Sequence, residues 1–235
     1  MPTTPAPLQT MFEAAPPRYD RINRVVTWGL DARWRRLAAT ECLAALEGPF
    51  LDLCCGTGDL AIAVARASNG TADVTGYDYS GPMLDIARDK ASAAGLSIGF
   101  TRGDAAAMPY PDGHFGCVGI SFGFRNLVFR NAHSRQHLSE IARVVRPGGR
   151  FVVVESSQPA CPFVRAAVHL YLRAFVGRVG GALSGQKGAY RYLAESAANF
   201  HTPSEIATML KAAGFARVDY RPLLLGAAGL HVATR

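Results

Sequence analysis

The sequence has five cysteines in 235 residues, at positions 42, 54, 55, 117 and 161, and no C-x-x-C pair. That spacing builds neither a disulfide framework nor a zinc site, and a reducing compartment is the expected setting. No apolar run approaches the ~20 residues that a membrane-spanning helix needs. Met1 to Pro7 has neither the basic nor the apolar part of a signal peptide, so a cytoplasmic protein is expected. Internal repeats, low-complexity tracts and dividing linkers are all missing, and the length suits one large α/β domain over residues 1–235. There is also no lysine-rich block and no nucleic-acid motif, although the net charge is +7. The excess arginines are spread along the chain, which fits a basic enzyme surface, and nucleic acid is not expected as a partner.

The stretch that is present and organises the rest is Phe50-Leu51-Asp52-Leu53-Cys54-Cys55-Gly56-Thr57-Gly58-Asp59. A short apolar strand runs into a turn with two glycines, Gly56 and Gly58, and then into the apolar helical run Leu60 to Ala65. Glycine allows a sharp turn and close approach of backbone to a ligand. A strand–turn–helix of this kind is how α/β proteins hold a nucleotide at the carboxyl end of a sheet. The third glycine of the dinucleotide fingerprint is replaced by Ala61. Asp52 and Asp59 make the surround acidic, which is a poor cradle for phosphates and suits a cationic, hydroxyl-rich ligand such as S-adenosylmethionine. An ordinary glycine turn fits the same residues.

Met1 to Pro17 carries five prolines, and residues 1–10 are expected to be flexible. Residues 11–48 read as an N-terminal helical cap, with Trp28, Leu30, Trp34, Leu37 and Leu43 at helical spacing. Val74 to Asp78 is a second strand ending in an acid, at roughly the ~20-residue interval where such folds place a carboxylate for ribose hydroxyls. Both hydroxyls of a diol can donate to one carboxylate. Met83, in the helix opened by Ser80-Gly81-Pro82, fits either a purine face or a core. A third strand, Ile98 to Thr101, leads to Asp104, a suitable acceptor for an adenine amino group.

Phe115 to Ser121 is a fourth strand, and it delivers Phe122-Gly123-Phe124-Arg125-Asn126 to the same edge. An arginine and an asparagine at the mouth of an apolar strand are costly to bury without a purpose. An amphipathic helix, His133 to Val145, is closed by Arg146-Pro147-Gly148-Gly149, and Phe151 to Glu155 is a fifth, buried strand. Strand and helix alternate, which predicts a parallel sheet with helices on both faces. Pro162 to Val176 is apolar except for a stripe of Arg165, His169 and Arg173, as in a core helix with one wet face or a helix meeting a greasy substrate or an anionic membrane. Gly177 to Gly188 reads as flexible, and Thr202-Pro203-Ser204-Glu205 as a helix start. Residues 216–225 and 226–234 read as a closing strand pair.

Taken together these stretches make the sequence similar to the ubiquinone/menaquinone biosynthesis C-methyltransferases over nearly its whole length. The anchors are Tyr19-Asp20-x-x-Asn23, the Leu51 to Asp59 turn, Phe122-Gly-x-Arg125-Asn126, Arg146-Pro-Gly-Gly149 and Tyr190-Arg191-Tyr192-Leu193-x-Glu195-Ser196. The glycine turn is shared by many methyltransferases, whereas the F-G-x-R-N and Y-R-Y-L-x-E-S segments are far more particular.

The resemblance implies a class I S-adenosylmethionine-dependent methyltransferase fold, Rossmann-like, with a seven-stranded, mostly parallel sheet whose last strand is antiparallel. It implies cofactor contacts at Thr57, Asp78, Asp104, Ala105 and Ser121, to which the residue reading adds Asp52, Gly56, Gly58, Tyr79 and Met83. Arg125 and Asn126 match the catalytic pair beside a quinol ring. Phe12, Tyr19, Tyr190, Arg191 and Tyr192 are the implied substrate contacts, within a substrate-covering insertion at residues 160–200 for the last three.

The expected reaction is methylation of a ring carbon of a reduced, prenylated quinone precursor, demethylmenaquinol first. A lipophilic quinol, the face of an anionic membrane and a second copy in a homodimer are the expected partners. The alternatives are another small hydrophobic acceptor, or a non-catalytic S-adenosylmethionine-binding regulator. Three departures from the family pattern stand out: Cys54 at the usual first glycine, Gly116 at a usual aspartate, and Gln186-Lys187 where acids are usual.

Overall fold

Strands and helices alternate along the chain, as the sequence pattern requires. The computed structural model describes residues 19–45, 48–181 and 187–235. The segment 1–10, Phe12 and Gln186 therefore lie outside the described residues. Two cap helices, α1 (Tyr19–Val26) and α2 (Leu30–Leu43), precede the first strand. The core units are β1 (Phe50–Leu53), α3 (Asp59–Ala67), β2 (Val74–Asp78), α4 (Gly81–Ala93) and β3 (Gly99–Arg102). The second half has β4 (Phe115–Ser121), α5 (Phe124–Val128), α6 (Ser134–Val144) and β5 (Val145–Ser156). Then come α7 (Pro162–Tyr171), a π-helix (Leu172–Gly180), α8 (Lys187–Ala198), α9 (Pro203–Ala212), β6 (Arg217–Leu223) and β7 (Ala228–Thr234).

The seven strands lie in the order β3-β2-β1-β4-β5-β7-β6. β1 to β5 are parallel, and β7 is antiparallel to both β5 and β6. Alternate side chains of each strand enter opposite layers. Leu51, Leu53, Phe151 and Val153 pack with Phe124, Ile141, Leu210 and Phe215 on one face. Phe50, Val152 and Val154 pack with Trp34, Leu60 and Val64 on the other. Burial on both faces explains why the central part of β5 reads as an unbroken apolar run and why β1 is apolar but for Asp52. The start of α9 is a capping box: Thr202 Oγ1 accepts from Glu205 N, and Glu205 Oε2 accepts from Thr202 N.

Three expectations change. Arg146 to Gly149 ends α6 but is not a free turn, since it lies inside β5 as a bulge. Phe115 pairs with Val145 and Cys117 with Arg150, so the extra residues loop out where the register shifts. The segment Gly177 to Gly188 is not loose throughout either, because the helix begun at Pro162 runs on through a π-helical stretch to Gly180. Nor is Pro162 to Tyr171 a core helix, for none of its residues is buried.

Candidate active site

The order 3-2-1-4 means that the chain leaves β1 toward one edge and returns to β4 on its other side. The crevice between the carboxyl ends of β1 and β4 is thus the switch point where ligands bind in such sheets. Both strands leave the sheet through a residue in the left-handed region, Cys54 (φ 53°) and Phe122 (φ 59°). Each costs about 1 kcal/mol relative to ordinary backbone. The two exits also touch: a Cβ on Gly123 would stand 2.8 Å from the Cys54 Cβ, so only glycine fits there.

The acid that ends β2 holds the glycine turn. Asp78 Oδ2 accepts from Gly56 N at 2.8 Å, and Oδ1 accepts from Ser80 N at 2.8 Å. Burial pushes its carboxyl up, against the lowering effect of the Ser80, Gly56 and Tyr79 N–H groups. Asp52, in β1, accepts from Ala61 N at 2.8 Å and so ties the strand to the first turn of α3. Burial raises its carboxyl to about 8. Gly58 (φ 79°) caps α3 and packs its Cα close to Ala87 of α4, where a Cβ would stand 3.0 Å from the Ala87 Cβ.

Over this floor the cap is latched by ions. Lys90 Nζ of α4 reaches Asp59 Oδ1 at 2.5 Å, Asp20 Oδ2 at 2.6 Å and Thr57 Oγ1 at 3.0 Å. Thr57 Oγ1 donates in turn to Asp20 Oδ1 at 2.7 Å. Arg35 of α2 pairs with Asp31 at 2.5 Å and Asp59 at 3.0 Å, donates to Ser121 Oγ at 3.2 Å, and lies over the Phe122 ring. Asp59, read from sequence as part of an open acidic surround, is therefore neutralised by two cations. Trp34 and Phe122 meet at a ring distance of 6.1 Å.

Arg125 sits at the first turn of α5, 4% exposed, opposite the 1% exposed side chain of Glu155. Its Nη1 donates to Glu155 Oε1 at 2.8 Å and to Ser156 Oγ at 2.6 Å, while its backbone N donates to Glu155 Oε2 at 3.0 Å. Arg125 Nε is buried with no partner among the described residues. So is the Tyr190 hydroxyl, and burial, then the nearby Tyr19 phenol, push the Tyr190 hydroxyl up.

These groups surround one cavity of about 660 Å³. Of the residues singled out in the sequence, Asp52, Gly56, Thr57, Asp78, Tyr79, Ser121, Arg125, Asn126, Tyr19 and Tyr190 border it. Gly58, Met83, Asp104, Ala105, Arg191 and Tyr192 do not. Met83 is fully buried in the core, and Asp104 Oδ1 accepts from Ala106 N at 2.9 Å. Along α8 successive side chains turn by about 100°, so Tyr190 faces inward and Arg191 outward. Phe12 lies outside the described residues.

Sequence reasoning missed Glu155, Lys90, Arg35 and Asp20. For Glu155 a signal existed, an acid ending an otherwise apolar buried strand. For Lys90 and Arg35 none did, because a charged residue on a helix is most often simply solvated.

A glycine turn at the switch point, an acid closing β2 and an antiparallel seventh strand define a class I S-adenosylmethionine-dependent methyltransferase. Solved structures of this fold align with the chain. An S-adenosylmethionine-dependent methyltransferase from Aquifex aeolicus does so with TM-score 0.55 and 18% identity, over 80% of this chain and 81% of that one. An O-methyltransferase family protein from Burkholderia thailandensis reaches 0.66 at 16% identity, over 93% and 59%. The profile of the ubiE/COQ5 methyltransferase family matches residues 3–235, and the chain belongs to that family.

Among its relatives, the demethylmenaquinone methyltransferases of Deinococcus radiodurans and Thermus thermophilus are each 44% identical over 96% of this chain, and over 91% and 100% of their own. A ubiquinone/menaquinone biosynthesis C-methyltransferase from Geotalea daltonii is 33% identical over 95% of this chain and 94% of its own.

S-adenosylmethionine is the cofactor, and the residues present fit it. Backbone N–H groups of Gly56 and Ser80 hold the Asp78 carboxylate at the cavity edge, where its remaining acceptor capacity suits a ribose diol. Apart from its chain neighbours, no atom of the described residues lies within 4 Å of where a Cβ on Gly56 would stand. When bound, the cofactor supplies a methyl group on a sulfonium that needs no further activation.

Proposed function

We propose that this enzyme methylates a ring carbon of a reduced, prenylated quinone precursor, with demethylmenaquinol as the substrate. The observation that carries this reading is Arg125. It is a buried cation whose Nε–H is buried with no partner among the described residues, in a cavity whose walls are otherwise rich in Trp34, Phe122, Leu127, Val164, Val168 and Leu172. A phenolic ring needs electron density on the carbon that will be methylated, and loss of the hydroxyl proton supplies it. Arg125 Nε–H donates to the phenolate oxygen as charge develops there. Glu155 and Ser156 hold the guanidinium in place beforehand. Asn126, whose side-chain amide has no partner among the described residues, orients the ring by its hydroxyls. Tyr19 and Tyr190, which both line the cavity, are assigned to the substrate. Asp78 is assigned to the cofactor ribose, and Gly56, Thr57, Tyr79 and Ser121 to its surroundings. Alignment of two reactants in a closed cavity supplies much of the remaining acceleration.

The same reading places the enzyme in the cytoplasm, against the anionic face of a membrane from which a prenylated quinol enters. No helix of the described residues is long and apolar enough to cross a membrane. The exposed side of α7 carries Phe163, 87% exposed, and Leu170. Leu224 and Leu225 (φ 45° and 55°) border the cavity and project outward, Leu225 78% exposed. Residues 156–194 contain no Asp or Glu but five Lys or Arg, the polarity that anionic headgroups attract.

The test is transfer of labelled methyl from S-adenosylmethionine to a reduced demethylmenaquinone analogue in detergent. Ring incorporation supports the reading, and its absence despite calorimetric cofactor binding overturns it. Cosedimentation with phosphatidylglycerol vesicles, weakened by Phe163→Glu with Leu170→Glu, tests the membrane contact. Light scattering of the same samples tests the homodimer.

A further inference from the structure

Gln158 lies two residues beyond Ser156, the residue that braces Arg125, and its amide is oriented by what surrounds it. Gln158 Nε2 donates to the carbonyl oxygens of Ala197 and Ala198 at 3.1 and 3.2 Å. A carbonyl only accepts, so the nitrogen end of the amide must face α8. The oxygen end, Oε1, then faces α7, where it lies 3.0 Å from His169 Nε2. That oxygen too can only accept, so the hydrogen of a neutral imidazole sits on Nε2, and Nδ1 carries the lone pair. The tautomer of His169 thus follows from two carbonyls on another helix.

His169 borders the cavity, together with Ser156, Ser157 and Ala197. Among the described residues it is the only histidine that does so. His137 is buried against the Leu127 carbonyl at 3.0 Å, and His231 is enclosed between strands beside Tyr220. Glu155, the carboxylate beside Arg125, is held as the counter-ion of the guanidinium: Oε1 accepts from Arg125 and Ser156, and Oε2 from the Arg125 backbone.

We infer that His169 Nδ1 takes the phenolic proton of the acceptor and that Gln158 is the positioning residue that keeps Nδ1 free. The assignment rests on the quinol reading above. In the step, the phenolic O–H bond breaks, its proton moves to Nδ1, and the electron pair stays on oxygen, where Arg125 Nε–H receives it. Once the ring carbon carries its methyl group, that carbon loses its hydrogen to water as a proton. The imidazolium returns its own proton to the oxygen, so one proton leaves per turnover.

The surroundings keep His169 ready for this. Burial, then Arg173 on the π-helix and Arg165 on α7, hold its pKa below the ordinary 6.5, so the ring is neutral at neutral pH. Arg165 is itself fixed, donating to the carbonyls of Pro159 at 2.9 Å and Ala160 at 3.3 Å. From the segment after β5 only the uncharged Gln158 faces the ring.

His169→Gln tests the assignment, because a glutamine can still donate to Gln158 Oε1 but cannot take a proton. The expected result is a kcat at least about 100-fold lower with unchanged calorimetric affinity for S-adenosylmethionine. The pH profile separates this from a structural effect. Wild-type kcat should be flat near neutrality and fall on the acid side as the imidazole protonates. In the variant that limb should vanish, and kcat should climb with pH as the phenol ionises in solution. A variant that keeps wild-type kcat, or keeps the acid limb, overturns the assignment.

A second measurement does not depend on turnover. Nitrogen-15 spectra of histidine-labelled enzyme, with the His169 signal identified by its loss in His169→Gln, should show the Nε2–H tautomer. An Nδ1–H tautomer overturns the proposal. Wild-type enzyme that never methylates the quinol at any pH overturns the substrate reading instead, and this role of His169 with it.

Discussion

Arg125 Nη1 and Glu155 Oε1 face each other at 2.8 Å across the ends of two adjacent strands, both nearly excluded from solvent. Removing one partner of such a pair strands the other charge, at a cost of about 3–5 kcal/mol. Arg125→Ala should therefore lose turnover and much stability while keeping cofactor affinity in the molecules that stay folded. Arg125→Met combined with Glu155→Gln should recover most of the stability and none of the turnover. Urea unfolding and labelled methyl transfer, run on the single and double variants, check this. Recovered turnover would remove Arg125 from the chemistry.

Asp78 holds the glycine turn and is the proposed acceptor for the cofactor ribose. Asp78→Asn replaces one acceptor oxygen with a donor, which then faces Gly56 N–H or Ser80 N–H. Loss of a charge-assisted hydrogen bond is worth about 1.5–3 kcal/mol, so the Kd for S-adenosylmethionine should rise about 10- to 100-fold. Calorimetry reads it directly. Unchanged affinity would leave Asp78 a brace of the turn and nothing more.

Asp52 makes stability depend on pH. Its carboxyl is raised by burial to about 8, against 3.8 for the free group. The folded state keeps a proton that the unfolded state releases between those values. This group's contribution is therefore full below pH 3.8 and is lost as pH rises toward 8. Asp52→Asn keeps an acceptor for Ala61 N–H and has no proton to release. Its stability relative to wild type should improve steadily from pH 5 to pH 8 and level off above that, by up to about 1.4 kcal/mol per pH unit. Urea titrations at several pH values test the slope, and parallel curves would count against it.

Gly123 and Cys54 are coupled by contact. Gly123→Ala would set a methyl group 2.8 Å from the Cys54 Cβ and should cost about 1–3 kcal/mol. Cys54→Gly relieves the left-handed strain at φ 53° and opens that space, so the double variant should be far less destabilised than the two effects added. A thermodynamic cycle by thermal unfolding shows whether they add.

Legibility followed the range of the forces involved. β1, β2 and β4 have the bounds expected from their apolar runs, and the capping box at Thr202 was readable from four adjacent residues, because strand burial and helix caps are encoded locally. The π-helical continuation past Tyr171 and the bulge at Arg146 to Gly149 were not readable. Both depend on what packs or pairs across the chain. Most expected cofactor residues on β1 and at the ends of β2 and β4 border the cavity. Met83, Asp104 and Ala105 do not, since proximity to a motif says nothing about which way a side chain faces.

By itself the sequence determined the alternating architecture, the glycine turn after β1, and the acid and the Arg-Asn pair delivered to one sheet edge. Each is written in a short window where periodicity and turn chemistry act. Only the tertiary structure decided that Glu155 pairs with Arg125, that Lys90 and Arg35 neutralise Asp59, and that Gln158 sets the proton on His169. Those partners are 30, 31 and 11 residues apart for Arg125–Glu155, Lys90–Asp59 and His169–Gln158. Charge pairs and tautomers are set by distances of a few ångströms in space, and no local pattern in the chain records them.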